Sequence, residues 1–170
     1  MNKLFNKSTR VPSIFEIATA YEDGNEGKVK VKQKEKSIYE TYHDLTNDEK
    51  RFVFRHPGYA YKFNANAEKA RKIGRQLRGT KNGYGDAVRH CYWCALNQMV
   101  VGLNSPLAKE FGDAHENKPD NETNAKAMDL HNNAIGYSLG NQAIINGWSE
   151  EELLNNIINA ANNGTLQILE

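Results

Sequence analysis

Apolar positions recur at helical spacing through most of this chain, and glycine, proline and capping residues mark where each run stops. Residues 12–21 predict a short helix, with Ile14, Phe15, Ile17 and Ala18 on one side. Residues 22–36 are charged and contain glycine. Within them Lys28-Val29-Lys30-Val31-Lys32 alternates, which fits an edge strand or an extended arm. A solvated linker is the preferred reading. From Ser37 onward the pattern is helical. Thr46-Asn47-Asp48-Glu49 is a capping box that starts a helix through Phe54. His56-Pro57 breaks it, and Pro57 opens a helix to about residue 77. Residues 78–85 hold three glycines and predict a loop.

Four more helices are expected. One covers 86–101. The next starts at Ser105-Pro106, a capping serine before a first-turn proline, and reaches residue 116. A polar loop over 117–121 leads to a third over 122–145. The last begins at the capping box Ser149-Glu150-Glu151-Glu152 and ends near 162, before Gly164. The expected fold is mainly α, a single-domain irregular helical bundle of about six to eight helices. Residues 1–40 form an N-terminal helix and charged arm, and residues 41–170 the helical domain that carries the site.

Composition changes this picture little. At 170 residues, 39% hydrophobic and 25% charged, the chain suits one globular domain. A net charge of +1 gives no overall field for long nucleic acids or an anionic membrane, so nucleic acid is not the expected partner. No run approaches the roughly 20 apolar residues of a membrane span. Basic residues near the N-terminus precede no apolar segment, so no secretory signal is expected. Location is then cytoplasmic, or outside the cell by a route that reads no such signal. Cys91 and Cys94 make no disulfide scaffold, and they read as packing thiols on a helix.

The informative segment is Asp86-Ala87-Val88-Arg89-His90-Cys91-Tyr92-Trp93. Asp86, Arg89, His90 and Trp93 are spaced i, i+3, i+4, i+7 and share one helix face, while the rest of that helix is apolar or small. A narrow charged stripe on a buried-looking helix implies a polar pocket, because buried charges must be paired or bound. The helix over 122–145 repeats the spacing with Asp129, Asn132, Asn133 and Gly136, and Gly140 extends it. Asn and Gly are poor helix formers, so a face of them needs a local reason. The amides could hold a ligand, and the glycines could admit a neighbouring helix or a substrate. His115 shares a face with Leu107, Ala108 and Phe111 and is expected to point inward. Glu116 is displaced by about 100°, and His131 lies about 160° from Asp129, so both rank lower on geometry.

One chemical reading is a hydrolase. His90 or His115 would be general base, oriented by Asp86 or Asp129, with Arg89 stabilising a developing anion. A metal-assisted version would use His90, His115, Glu116 and Asp129, a nitrogen and oxygen set that suits zinc or a harder divalent ion. The other readings are a structural ion-paired network and a non-catalytic module whose polar pocket binds a ligand or a protein. No HExxH motif, nucleophile elbow or P-loop is present.

Three ordered blocks carry a resemblance: Asp86-Ala87-x-Arg89-His90-x-x-Trp93, then Ala108-Lys109-x-Phe111-Gly112-Asp113-Ala114-His115-Glu116, then Met128-Asp129-Leu130-His131-Asn132-Asn133-x-x-Gly136. Over residues 45–140 the chain resembles an uncharacterised bacterial helical domain family often found at the C-terminal end of secreted or polymorphic-toxin-like proteins. The resemblance implies a helical fold and an effector or toxin activity, and it supplies no reaction; the hydrolase reading adds a phosphodiester, lipid or cell-wall bond as the expected substrate. The first 40 residues fall outside the resemblance and read as an adaptor, a delivery segment or an arm for a cognate immunity protein, the expected partner. The resemblance restores Glu116 and His131 to the site list beside His90, Arg89, Asp86, His115, Asp129, Asn132 and Asn133.

Overall fold

The capping signals set the helix boundaries. In a computed structural model, which describes residues 43–118 and 122–169, Thr46 Oγ1 accepts from Glu49 N at 3.0 Å, and Glu49 Oε2 accepts from Thr46 N at 2.6 Å. This closed box starts α1 (Asn47–Arg55). Pro57 then occupies the first turn of α2 (Pro57–Gln76), where its missing N–H costs nothing. The third helix, α3 (Tyr84–Val101), begins two residues before the sequence suggested. Gly85 N donates to Arg78 O and Asp86 N to Gly79 O, so loop carbonyls satisfy first-turn amides that have no helical partner. Pro106 caps α4 (Leu107–Glu116), and Ser105 Oγ accepts from Leu107 N at 3.5 Å. The long α5 (Thr123–Asn146) ends at Gly147 in the left-handed conformation. The Ser149–Glu152 box opens α6 (Glu150–Asn162).

The expected mainly α fold is therefore present: six helices and no strand among the described residues. The helix expected over 12–21 and the alternating Lys28–Lys32 run lie outside those residues. None of the described helices is long and apolar enough to cross a membrane.

α3 is the centre of the bundle. From Gly85 to Gln98 it is buried everywhere except at Arg89, which explains why its sequence is apolar on nearly all sides. On one flank α1, α2 and α4 contribute an aromatic core. Phe52 lies 5.7 Å from Phe63 and 4.9 Å from Phe111, ring centre to ring centre, and Trp93 of α3 meets Phe111 edge-on at 5.8 Å. Phe52 and Phe63 are fully buried, and burial of each such ring is worth about 1.5–3 kcal/mol. The Trp93 indole N–H donates to Phe63 O at 3.2 Å, which fixes the ring there.

On the opposite flank α5 lies against α3 at backbone contact. A Cβ on Gly136 would stand 2.3 Å from Cys91 O, and one on Gly140 would stand 2.6 Å from Ala95 O. The glycines of the α5 stripe thus admit a neighbouring helix, one of the two roles their spacing allowed. Cys91 and Cys94 are fully buried in this contact. Burial pushes the Cys91 thiol up to about 12 and the Cys94 thiol well above its ordinary value, so both are protonated packing groups.

Candidate acid–imidazole site

The close approach of α3 and α5 at the glycines carries the N-terminal halves of their two polar stripes into one another. α3 presents Asp86, Arg89 and His90. α5 presents Asp129 and Asn133, and the last residue of α4 adds Glu116. Asp86, His90, Glu116, Asp129 and Asn133 are all buried.

His90 is the hub. Its Nε2 lies 3.3 Å from Asp129 Oδ1 and 3.7 Å from Asp86 Oδ1. Its Nδ1 lies 3.5 Å from Glu116 Oε1 on the opposite edge of the ring. Asn133 Nδ2 donates to Glu116 Oε1 at 3.3 Å. The Arg89 guanidinium bonds Asp86 Oδ1 and also contacts His90 Nε2. Because Arg89 can only donate, Nε2 offers its lone pair and the ring proton sits on Nδ1, toward Glu116. Burial, then the Arg89 and His115 charges, holds the His90 imidazole well below the usual histidine range, so the ring is neutral.

Asp129 is under electrostatic pressure. Burial first, then the Glu116 and Asp86 charges, pushes its carboxyl up to about 7, against the opposing pull of Arg89. Its Oδ1 accepts no hydrogen bond, and neither His90 Nδ1 nor Asn133 Oδ1 has a hydrogen-bond partner. Buried polar atoms are normally satisfied, so three such atoms in one cluster set it apart from the rest of the interior.

One oxygen each from Asp86 and Asp129 and one nitrogen of His90 lie within 4.8 Å of one another. Two carboxylates and an imidazole are donors for zinc or manganese, and three protein ligands leave coordination positions open, as in catalytic metal sites. Glu116 then stands where the orienting partner of a metal-bound histidine belongs, behind the other ring nitrogen.

The sequence-predicted residues separate into three groups. Asp86, Arg89, His90, Glu116, Asp129 and Asn133 come together. Glu116 reaches inward because it ends α4, one residue before the chain leaves the helix at Asn117. His115 stays beside this cluster: its ring centre is 6.5 Å from that of His90, and its Nδ1 pairs with Glu49 Oε1 at 2.8 Å. The four residues read as metal ligands therefore do not share one point, since His115 is committed to Glu49 and Glu116 faces the far nitrogen of His90. His131 and Asn132, on α5, bond the C-terminal tail instead. His131 Nε2 contacts Thr165 O at 2.9 Å, as its displacement from Asp129 on the wheel required. The Asn132 amide clasps the backbone of Gln167 through both of its polar atoms, at 3.0 and 2.9 Å.

Two contributors were not singled out from sequence. Glu49 is 2% exposed and serves twice, with Oε2 on the Thr46 cap and Oε1 on His115. Burial pushes its carboxyl up, but the His115, Thr46 and Lys118 interactions outweigh that and hold it low. A capping-box glutamate has a second oxygen to spare, and this was the available signal. Asn82, at φ 58°, gives its N–H to Asp86 Oδ2 at 2.7 Å and its carbonyl to Leu169 N at 2.9 Å. It links the tail to the Asp86 carboxylate.

Fold and site together define an all-helical domain with a buried, partly unsatisfied acid–imidazole–amide cluster at the crossing of its two central helices. The chain belongs to the DUF6973 family, a domain of unknown function whose family model matches residues 50–165. All the clustered residues fall inside that span. No solved structure matches the chain.

Proposed function

We propose that the domain is a divalent-metal-dependent hydrolase, with Asp86, His90 and Asp129 as protein ligands. The observation that carries this reading is the convergence of one donor atom from each residue within 4.8 Å, beside a buried Asp129 Oδ1 that accepts no hydrogen bond and lies 3.3 Å from His90 Nε2. A cation bound there would lower the pKa of a water molecule and polarise the bond to be cut. Glu116 stands 3.5 Å behind Nδ1 of the neutral His90 ring, and the Nε2 lone pair, which meets Arg89 in the metal-free cluster, faces Asp86 and Asp129. Arg89 is 29% exposed at its side chain and spans the distance from this point to solvent, which suits it to stabilise negative charge developing on a substrate. In the hydrolytic step the water oxygen bonds to the electrophilic centre and the bond to the leaving group breaks. One water proton passes to a carboxylate of the cluster, and the leaving group takes up a proton from solvent.

The bacterial antagonistic-effector setting is part of this proposal. It comprises a cognate immunity or adaptor protein and export that bypasses signal peptides, and its support is the resemblance in the three sequence blocks. Titration of chelator-treated protein with Mn²⁺ or Zn²⁺ tests the metal centre. Saturable binding by the wild type, lost in a folded Asp129→Asn variant, is the expected result. Absence of binding to the folded wild type refutes the centre. Expression in bacterial cytoplasm and periplasm tests the effector role: growth arrest by the wild type, abolished in folded His90→Ala, is expected. Metal binding with no toxicity in either compartment favours a binding module instead.

A further inference from the structure

We infer that the groove between α2 and α3 binds the phosphoryl group of an anionic substrate and delivers it to Arg89. The groove has a volume of about 380 Å³ and is lined by Arg71, Gly74, Arg75, Thr80, Gly85 and Arg89.

Its construction follows from the sequence. Arg71, Gly74 and Arg75 are spaced i, i+3, i+4 and share one face of α2, while Gly85 and Arg89 are spaced i, i+4 on α3. The two helices touch through their glycines. A Cβ on Gly85 would stand 2.7 Å from Gly74 O, and one on Gly74 would stand 3.1 Å from Arg89 Cβ. Glycine at both positions therefore lets two arginines of one helix stand beside the arginine of the other. The first amides of α3 do not contribute, because Gly85 N and Asp86 N already donate to Arg78 O and Gly79 O.

Three guanidinium groups line one groove, and carboxylates neutralise two of them, which leaves one positive charge without a counter-charge. Arg71 pairs with Glu68 in an exposed i, i+3 contact, and Arg89 pairs with Asp86. Arg75 has no ion pair among the described residues. Guanidinium forks pair with carboxylate and phosphate oxygens alike, but a phosphoryl group has enough oxygens and charge to be shared among several arginines at once, which favours it over a single carboxylate. Arg89 belongs to both places: it lines the groove, and its guanidinium contacts the acid–imidazole cluster. A phosphate ester held by Arg71 and Arg75 would therefore lie next to the one residue that touches both the groove and the proposed metal ligands.

As an anion site the groove stands on its own geometry; as a substrate site it rests on the metal-hydrolase reading. Calorimetric titration of chelator-treated protein with inorganic phosphate, with acetate as control, separates the two. Phosphate should bind the wild type more tightly than acetate, and the doubly substituted Arg71→Ala, Arg75→Ala protein should bind phosphate about tenfold more weakly, while Mn²⁺ affinity stays unchanged. Circular dichroism confirms that this variant is folded; should it not be, the exposed single change Arg75→Ala is used, with a smaller loss expected in the same direction. Equal phosphate affinity in the folded variant and the wild type overturns the proposal, as does no preference for phosphate over acetate. Phosphate binding without metal binding refutes only the hydrolase reading, and metal binding without phosphate binding refutes only this one.

Discussion

The contact between α3 and α5 has two ends that obey different rules. At one end Gly136 and Gly140 press against Cys91 O and Ala95 O, with the Cys94 and Gln98 Cβ atoms beside them, and the nearby thiols are buried and inert. At the other end, less than two turns away along α5, the same pair of helices buries Asp86, His90 and Asp129, with Glu116 of α4 closing the cluster and three polar atoms left without hydrogen bonds. The first end is optimised for cohesion. The second concentrates like charges where a packed apolar layer would be cheaper, and natural proteins accept such local conflict mainly at functional sites. The glycine end supplies the rigidity that keeps the polar end in place.

The largest expected effect tests the cohesive end. Gly136→Ala places a methyl group 2.3 Å from a helix carbonyl that cannot rotate away, so the helices must separate. A loss of about 3 kcal/mol is expected in urea unfolding, enough to loosen the polar cluster as well. Unchanged stability would mean that the two helices do not approach as described.

The next effect probes how the tail supports the polar end. Asn132→Ala removes both part-buried hydrogen bonds to the Gln167 backbone, at a cost of about 1–2 kcal/mol. Leu166, now 3% exposed, should become accessible. Faster amide exchange at Gln167 and Leu169 would show this, and retained protection would refute the clasp.

The smallest effect has the opposite sign. A carboxyl whose folded pKa is raised from 3.8 to about 7 gives the folded state more bound protons than the unfolded chain across that window. Metal-free protein therefore loses stability as pH rises from about 4 to 7 on account of Asp129, and the penalty is complete above pH 7. Asp129→Asn removes it, and a gain on the order of 1 kcal/mol at pH 8 is expected, vanishing near pH 4. Thermal unfolding at both pH values measures it. A variant less stable than wild type at pH 8 would place Asp129 among ordinary structural residues. A gain in stability together with lost metal binding would set the polar end apart from the glycine end most clearly.

The local order of this chain was legible without coordinates. Both capping boxes, the Pro57 start, the Gly164 stop and the two i, i+3, i+4, i+7 stripes are encoded within a few residues, where hydrogen-bond geometry and helical period suffice. So were Asp86, Arg89, His90, Asp129 and Asn133 as neighbours, because the stripes point to a shared interior. What the sequence left open depends on rotation and approach between helices distant along the chain. Glu116 turns in and His115 pairs with Glu49, 66 residues away, because the end of α4 meets α1 on one side and α3 on the other. His131 and Asn132 hold the tail rather than the cluster because Thr165 and Gln167 fold back across α5. The arginine groove exists because Gly74 and Gly85 bring two helices into backbone contact. Periodicity fixes which side chains share a face; only the packed arrangement decides what that face meets.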